Sequence, residues 1–255
     1  MMLGAERQRD IVERVNAEGV VKVAELSTLY GVTQDCIRKD LRTLETMGLL
    51  KRTYGGAIQQ RVNPHELGVA SRRERNTQGK RRMAECALGL IQPHSTVFLD
   101  ISTTNIELAK MLIHAECSVT VITNMLDVAA VLTQGDQVRT IVVGGAFNST
   151  RDGFVGGLTD AQIRHFRFDI AFLGTAGLDT ARNAVLTYLP EDGITKTAAL
   201  AVSRQAYLLA ETYKFAQDGD YSYSSLDAFT GIVLDGEPPS SERRRLEELG
   251  LAIIC

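Results

Sequence analysis

The sequence contains no tryptophan and only four cysteines among its 255 residues. Cys36, Cys86, Cys117 and Cys255 are scattered along the chain and form no C-x-x-C motif, so the sequence predicts neither a zinc site nor a disulfide framework. We expect each cysteine to be a small buried hydrophobic residue. We also expect the protein to use no metal ion and no cofactor.

Long apolar runs are missing as well. No run approaches the roughly 18 residues that a membrane-spanning helix needs. The first ten residues include Glu6, Arg7, Arg9 and Asp10, where a signal peptide would be apolar. These features predict a cytoplasmic protein that has no membrane partner.

The composition is that of an ordinary globular protein, with 44% hydrophobic and 23% charged residues, and it argues against disorder. The small net charge of −3 conceals an uneven distribution. Residues 1–82 carry 16 Lys and Arg against 10 Asp and Glu, whereas residues 83–255 carry 12 against 21. A basic segment followed by an acidic one is typical of a nucleic-acid-binding domain joined to a soluble sensing domain.

The first 58 residues have the pattern of a winged helix-turn-helix. Apolar residues at helical spacing predict helices over residues 5–17 and 24–30. A third helix is predicted from Thr33, whose hydroxyl can cap the first turn, to about Met47. Residues 49–58 predict two short strands around a Gly-Gly pair, and these strands would form the wing.

The third predicted helix has an apolar stripe and a polar face. Ile37, Leu41 and Leu44 follow one another at i, i+4 and i+7 and would pack against the other two helices. The remaining polar side chains can reach base edges and phosphates. Alternatively, they form only the solvated face of a small helical bundle. The side chains that we expect to contact DNA are Thr33, Gln34, Asp35, Arg38, Lys39 and Arg42 from this helix, with Lys51 and Arg52 from the wing.

Several motifs of this segment resemble, in order and spacing, the DeoR family of bacterial transcriptional regulators. They include Glu6-Arg7-Gln8, Ile37-Arg38-Lys39-Asp40-Leu41 and Arg52-Thr53-Tyr54-Gly55-Gly56-Ala57. The resemblance covers nearly all of residues 1–58 and implies a DNA-binding domain. Cys36 stands where the family usually has threonine.

Periodicity fades over residues 59–78, which we interpret as a linker that includes part of a helix. In residues 79–255, short apolar strands alternate with amphipathic helices. This pattern predicts an α/β domain with a mostly parallel sheet that is covered by helices on both faces. The predicted strands are residues 97–99, 119–122, 140–143, 170–173, 206–209, 231–234 and 251–254, and the predicted helices are residues 80–91, 105–114, 125–132, 194–203 and 241–249.

Ligands of an open parallel sheet bind beyond the carboxyl ends of its strands. Residues 100–105 supply hydroxyl and backbone N–H groups where a helix begins, which favours phosphate. Other strand ends carry Thr123-Asn124, Gly144-Gly145, residues 174–177 and Lys214, a cation that can pair with phosphate. Each of these features also has a structural interpretation, as a helix cap, a turn or a solvated lysine.

Residues 79–255 also resemble the effector domain of the DeoR family, which is related in fold to ribose-5-phosphate isomerase and to the amino-sugar-phosphate deaminases. The motifs that carry the resemblance are residues 100–104, 123–124, 144–145, 154–156, 169–177 and 212–215. The resemblance implies that the phosphate of a sugar phosphate is held by Ser102, Thr103, Thr104 and Lys214, and that the rest of the pocket is lined by Asp100, Thr123, Asn124 and Gly145. Two positions depart from the family, because Ser102 replaces the usual glycine and Glu211 replaces the usual aspartate.

The resemblances and the charge distribution predict a repressor of a carbohydrate-utilisation operon that is controlled by a phosphorylated sugar. A helix-turn-helix normally reads paired half-sites, so we expect a homodimer or homotetramer on double-stranded operator DNA. Two alternatives remain open. The C-terminal segment can be a sugar-phosphate isomerase or deaminase, with Asp100, Glu191 and Asp192 as the candidate carboxylates. The helix-turn-helix can also serve protein contacts alone.

Overall fold

The computed structural model describes residues 4–46, 49–58, 69–115, 117–150 and 152–254. The chain divides into an N-terminal unit, residues 1–63, and a C-terminal unit, residues 64–255. Met47, with which the third predicted helix ends, lies outside the described residues, as does Cys255.

Three helices and a small sheet form the N-terminal unit. The helices are α1 (Gly4–Glu18), α2 (Val23–Tyr30) and α3 (Gln34–Thr46), and the strands are β1 (Val20–Lys22), β2 (Lys51–Thr53) and β3 (Gly56–Ile58). The predicted wing is present as the β2–β3 hairpin. Strand β1 pairs with β3 on the other side, which completes an antiparallel sheet of order β1-β3-β2. This pairing was not predicted from the sequence.

Helix α3 forms where the sequence predicts it. The hydroxyl oxygen of Thr33 accepts from the backbone N–H of Cys36 at 3.3 Å, which is the predicted cap of the first turn. Ile37, Leu41 and Leu44 are buried in one apolar cluster with residues of α1, α2 and the sheet. The apolar stripe therefore holds α3 against the rest of the unit and leaves the polar face outside.

A parallel seven-stranded sheet is the centre of the C-terminal unit. The strands are β4 (Thr96–Leu99), β5 (Val119–Thr123), β6 (Val138–Val142), β9 (Phe168–Gly174), β12 (Ser203–Ala210), β14 (Gly231–Leu234) and β15 (Ala252–Ile254). Their order is β15-β14-β12-β9-β4-β5-β6, and every neighbouring pair is parallel. All seven predicted strands are confirmed, and the carboxyl ends of the strands share one edge of the sheet.

Helices cover both faces of this sheet, as predicted. They are α5 (Thr77–Leu88), α6 (Thr103–Leu112), α7 (Leu126–Leu132), α8 (Gly157–Ile163), α9 (Pro190–Ala201) and α10 (Ser240–Glu248). Residues alternate along each strand between the two apolar clusters: Val97 and Leu99 pack with α5 and α6, whereas Phe98 packs in the cluster that contains residues of α9 and α10. The alternation explains why these strands read as continuous apolar runs.

Some elements escaped prediction because they are short. They are the hairpin of β7 (Ala146–Asn148) and β8 (Gly153–Val155), the small sheet of β10 (Gly177–Asp179), β11 (Ala184–Thr187) and β13 (Tyr221–Ser224), and helix α8. In the interval interpreted as a linker, a short helix α4 (Val69–Glu74) precedes α5, which begins at Thr77 rather than Lys80.

The expectation that the cysteines are buried is wrong for the three that the structure describes. Cys36, Cys86 and Cys117 are free thiols and are only half-buried. Cys36 lies on α3 beside the fully buried Ile37, and Cys86 lies on α5, whose fully buried positions include Met83.

Candidate DNA-binding surface and effector site

The outer face of α3 presents the polar side chains that the sequence analysis selected. Gln34, Asp35, Arg38, Lys39 and Arg42 are all exposed. Within this face, Arg38 donates to the carboxylate of Asp35 at 2.7 Å and to the amide oxygen of Gln34 at 3.4 Å. An exposed pair of this kind contributes little stability, so the guanidinium can leave it to contact another acceptor.

The wing is fastened to the end of α3 by Glu45. The carboxylate of Glu45 accepts from the Nε of Arg52 at 2.6 Å and from the backbone N–H of Arg52 at 2.9 Å. The side-chain hydrogen bond from Arg52 lowers the pKa of Glu45. Lys51 is exposed on the same strand, and Tyr54 at the turn of the hairpin is fully exposed. Lys51 and Arg52 were predicted from the sequence as DNA contacts, whereas the contact of Glu45 with Arg52 and the exposure of Tyr54 were not foreseen.

A buried ion pair supports α3 from the inside. The Nε of Arg7 in α1 donates to Asp40 in α3 at 2.7 Å, and the amide of Gln8 donates to the second carboxylate oxygen at 2.8 Å. Arg7 also donates to the thiol sulfur of Cys36 at 3.3 Å. Cys36 therefore contacts α1 through Arg7.

In the C-terminal unit, the loop after β4 leads into the first turn of α6. Ser102 is the N-cap of this helix, and its hydroxyl oxygen accepts from the backbone N–H of Thr104 at 3.3 Å. Its backbone is extended, with φ −146° and ψ 135°, so serine fits at a position where glycine is usual in the family that the sequence resembles. Thr103 and Thr104 are buried in the first turn.

Asp100 is fully buried and is already engaged with protein groups. Its carboxylate accepts from the ammonium of Lys196, from Asn105 at 3.0 Å and from the backbone N–H of Gly174 at 3.0 Å. Lys196 also pairs with Asp192 at 3.1 Å. Burial raises the pKa of Asp100 to about 6 although the positive charge of Lys196 opposes the shift. Burial also lowers the pKa of Lys196, but the two carboxylates together outweigh it and the net shift is upward.

The residues predicted to line the pocket differ in what they contact. Thr123 is buried, donates to the carbonyl of Leu99 at 2.7 Å and accepts from the N–H of Met125 at 3.1 Å, so its hydroxyl is used within the fold. Asn124 donates to the carbonyl of Phe154 at 2.9 Å. Its amide oxygen is buried and accepts no hydrogen bond from the described residues.

Gly145 is required for a steric reason. It has φ +157°, and a Cβ atom there would lie 2.1 Å from the hydroxyl of Thr159. That hydroxyl donates to the carbonyl of Gly144 at 3.0 Å, so the loop after β6 packs directly on the start of α8. The close approach of backbone and side chain leaves no room for any residue larger than glycine.

Lys214 lies in a 3₁₀ helix, Thr212–Ala216, that follows β12. It is half-buried, and its Nζ atom lies 4.8 Å from the centre of the Tyr213 ring. Strand β9 separates β12 from β4, so the strand ends that lead to Lys214 and to Ser102 are two strand spacings apart, about 9 to 10 Å. The two segments share the carboxyl edge of the sheet.

Comparison with known proteins gives two family matches that together span most of the chain. Residues 7–61 match the DeoR-like helix-turn-helix domain, and residues 75–236 match the DeoR C-terminal sensor domain. The chain belongs to the DeoR family. It is a DNA-binding transcriptional regulator in which a helix-turn-helix precedes a sensor domain.

Curated relatives within the DeoR family match over nearly the full length of both chains. The putative aga operon transcriptional repressor of Escherichia coli O157:H7 is 30% identical over 252 residues, which is 98% of this chain and 93% of that protein. The transcriptional repressor AccR of Agrobacterium fabrum is 32% identical, with 90% and 89% covered. The glycerol-3-phosphate regulon repressor of Escherichia coli K12 is 30% identical, with 94% of each chain covered.

Among solved structures, the chain is similar to ribose 5-phosphate isomerase A from Methanocaldococcus jannaschii. The match has 15% identity and a TM-score of 0.40, and it covers 55% of this chain and 54% of that chain. None of the described helices is both long enough and apolar enough to cross a membrane.

Some side chains around the candidate effector site were not foreseen. Lys196 lies four residues after Asp192 on α9, a spacing that favours an ion pair and was a usable signal. Its contact with Asp100, 96 residues away in the chain, has no local signature. Asn105 is fully buried beside Asp100, and its amide oxygen accepts no hydrogen bond from any described residue.

Proposed function

We propose that this DeoR-family regulator represses a carbohydrate-utilisation operon, that α3 and the wing bind the operator, and that a phosphorylated sugar binds at the carboxyl edge of the sheet. The observation that carries the proposal is the shared edge. Hydroxyl and N–H groups at the start of α6 and the cation of Lys214 belong to the same sensor unit and the same side of its sheet. The repressors named above support the proposal, since the names of two of them refer to the aga operon and to glycerol 3-phosphate.

The proposed DNA contacts follow from the exposed face of α3. Arg38 leaves Asp35 and reaches a base edge, with Arg42 and Lys39 beside it on bases or phosphates. The other proposed contacts are Thr33, Gln34 and Asp35 at the start of α3 and Lys51 and Arg52 on the wing. A truncated chain that ends after the wing tests this proposal, because it should retain salt-sensitive binding to DNA.

The proposed phosphate site combines two features that favour a dianion. The N-terminus of α6 offers the backbone N–H of Thr103, beside that of Thr104, which Ser102 caps in this structure, and Lys214 supplies a positive charge. The hydroxyl of Ser102 lies at the same turn. A neutral sugar gains nothing from the charge, so phosphorylation should decide whether a ligand binds.

The remaining residues of the proposed pocket are suited to sugar hydroxyls. Asn124 has a buried amide oxygen that accepts from no described residue, so a ligand hydroxyl can donate to it. Asp100 and Thr123 face this edge from the ends of β4 and β5 but are held by contacts within the protein. We propose that they position the pocket together with Gly145.

We further propose that the sensor unit acts by binding and not by catalysis. Of the three candidate carboxylates for an isomerase or deaminase, Asp100 and Asp192 are both held by the ammonium of Lys196, and Glu191 is exposed on α9. Purified protein should show no turnover of pentose phosphates or amino-sugar phosphates. Measurable turnover that disappears in an Asp100→Asn variant would favour the enzyme.

The proposed assembly is a homodimer or homotetramer in the cytoplasm, because a helix-turn-helix reads paired half-sites. The proposed domains are a DNA-binding domain over residues 1–58, a linker over residues 59–78 and an effector domain over residues 79–255.

The first experiment is a thermal-shift comparison of ribose 5-phosphate, glycerol 3-phosphate and amino-sugar phosphates with their unphosphorylated parents. A ligand at 100 times its Kd stabilises by about 2.7 kcal/mol, which is readily seen. A panel in which the parents stabilise as well as the phosphates would refute the phosphate site.

A further inference from the structure

One asparagine links the turn between α4 and α5 by hydrogen bonds to the carboxyl edge of the sheet, where the effector site is proposed. Asn76 has a left-handed backbone, with φ 48° and ψ 46°, and its amide oxygen caps α5 by accepting from the N–H of Gly79 at 3.2 Å. Its amide nitrogen donates to Glu211 and to Asp235, each at 2.8 Å. Both acceptors belong to segments that follow strands of the sheet, so this turn is tied to the edge that carries Lys214.

A second connection runs from the same turn to the 3₁₀ helix of Lys214. The guanidinium of Arg75 lies 4.5 Å from the centre of the Tyr213 ring, and the Nζ atom of Lys214 lies 4.8 Å from the same ring. Asp235, which accepts from Asn76, also accepts from the backbone N–H of Thr212 at 2.7 Å. Thr212, the first residue of the 3₁₀ helix, is therefore linked to Asn76 through Asp235, and the ring of Tyr213 contacts Arg75.

A buried lysine of α5 is hydrogen-bonded to the C-terminal end of α4 and to the turn that follows it. Lys80 is 3% exposed, and its ammonium donates to the carbonyl of Arg72 at 2.5 Å and to the carbonyl of Arg75. Burial lowers the pKa of Lys80. The C-terminal end of α4 is thus hydrogen-bonded to α5 at the turn of Asn76, and α4 is the described element of this unit that comes first after the DNA-binding unit in the chain.

We propose that the turn at Arg75 and Asn76, hereafter the joint, changes its arrangement when the effector site is occupied. This change is transmitted to the part of the chain that leads to the DNA-binding unit. The inference rests on the proposed function. A dianion bound at Lys214 attracts Arg75 and repels the carboxylates of Glu211 and Asp235 that Asn76 holds. A ligand of this charge therefore favours one arrangement of the joint over another, which is the requirement for a switch.

The structure offers two ways to release the joint without touching the proposed phosphate site. Asn76→Gly keeps the left-handed backbone and removes all three hydrogen bonds of the side-chain amide, the one from Gly79 and those to Glu211 and Asp235. In Gly79→Ala, the new Cβ would lie 2.5 Å from the amide nitrogen of Asn76 and would displace that flexible side chain. Alanine is also the better helix former, so α5 should remain folded. Asn183→Gly is the matched control, because Asn183 also has a left-handed backbone (φ 52°) and accepts from the N–H of Leu226 at 2.9 Å.

The test is hydrogen exchange of peptides that cover residues 69–82 in the full-length protein. Exchange is measured with and without ribose 5-phosphate or glycerol 3-phosphate, and thermal shift reports binding of the same probe. We expect the probe that binds to change exchange in this segment severalfold in wild type and in Asn183→Gly. In Asn76→Gly and Gly79→Ala the probe should bind with affinity within about threefold of wild type, yet the exchange response should be lost.

Two results overturn the inference while leaving the proposed function intact. In the first, a probe binds to wild type and exchange of residues 69–82 does not change. In the second, both variants retain the full response. A third result, in which no phosphorylated sugar of the wider panel binds, refutes the phosphate site itself and the inference with it.

Discussion

The guanidinium of Arg7 in α1 donates to the carboxylate of Asp40 in α3 at 2.7 Å, and both side chains are buried. The pair joins the first helix to the inner side of the helix that presents the DNA-facing residues. The orientation of that outer face therefore depends on a contact that faces away from DNA.

Removal of one member of this pair should destabilise the N-terminal unit. We expect Arg7→Ala to lower its free energy of unfolding by about 1 to 3 kcal/mol, since Asp40 is left buried without its cation in a small domain. Asp40→Asn, which keeps an acceptor, should cost less. Urea denaturation of residues 1–63 measures the change. The exposed pair of Lys22 and Glu25 provides the control, and loss of Lys22 should change stability by less than about 0.5 kcal/mol.

The pair of Arg38 and Asp35 predicts opposite effects on DNA binding. Arg38→Ala should weaken binding to the preferred DNA sequence by about 1 to 3 kcal/mol because a base contact is lost. Asp35→Ala frees Arg38 and removes a negative charge, so it should strengthen non-specific binding at low salt. Fluorescence anisotropy with labelled duplexes measures both. Lys22→Ala serves as a charge-matched control, and a loss as large as that of Arg38→Ala would show that only net charge matters.

The buried Lys196 predicts a stability that depends on pH. In Lys196→Met, Asp100 and Asp192 lose their cation, and we expect a loss of about 3 to 5 kcal/mol at pH 8. The loss should be smaller at pH 5.

The folded-state pKa of Asp100 is about 6, above its usual value, so the folded protein binds more protons than the unfolded chain between about pH 4 and 6. Stability from this group is therefore present at low pH and declines as pH rises through 6. Removal of Lys196 raises that folded-state pKa further.

Denaturation of wild type and variant at pH 5 and pH 8 measures this difference. The double variant Lys196→Met with Asp100→Asn should recover part of the loss at pH 8, because one buried negative charge is gone. A loss that is equal at the two pH values would contradict the charge argument and would point to packing alone.

The sequence predicted those parts of the fold that local patterns determine. Ile37, Leu41 and Leu44 mark one face of α3 by their spacing, and continuous apolar runs mark the seven strands of the sheet. The pairing of strand β1 was not predicted, because three residues carry too little pattern to identify a partner 36 residues away, where Val21 pairs with Ala57. The family resemblance, and not periodicity, selected the residues of the proposed effector site.

The contacts that connect distant segments were beyond the sequence. Asp100 meets Lys196, and Asn76 meets Glu211 and Asp235, only because the sheet brings together strand ends that are far apart in the chain. Asn76 carries one readable signal, since asparagine tolerates the left-handed backbone that such a turn needs. Its acceptors could not be inferred from that signal.

The proposed role of Lys214 predicts that its removal lowers the affinity for the effector. Lys214→Ala removes the cation of the proposed phosphate site and should weaken binding of a sugar phosphate about 10- to 150-fold, the range for a lost charge-assisted hydrogen bond. Thermal shift or calorimetry measures the Kd. Lys110→Ala, at the opposite end of α6, removes the same charge from the sensor unit at an exposed position and should leave the Kd unchanged. Equal losses in the two variants would place the phosphate elsewhere.

The central claim, that a phosphorylated sugar controls DNA binding through the sensor unit, is tested most directly by one titration. DNA selected from random sequence for tight binding to the full-length protein is held at fixed concentration, and its affinity is followed as a sugar phosphate or its unphosphorylated parent is added. The account predicts that the phosphate lowers the DNA affinity of wild type about 5- to 150-fold, a coupling of about 1 to 3 kcal/mol, that the parent has no effect, and that Lys214→Ala binds the DNA normally without responding. An equal effect of parent and phosphate, or an undiminished response in Lys214→Ala, would contradict it.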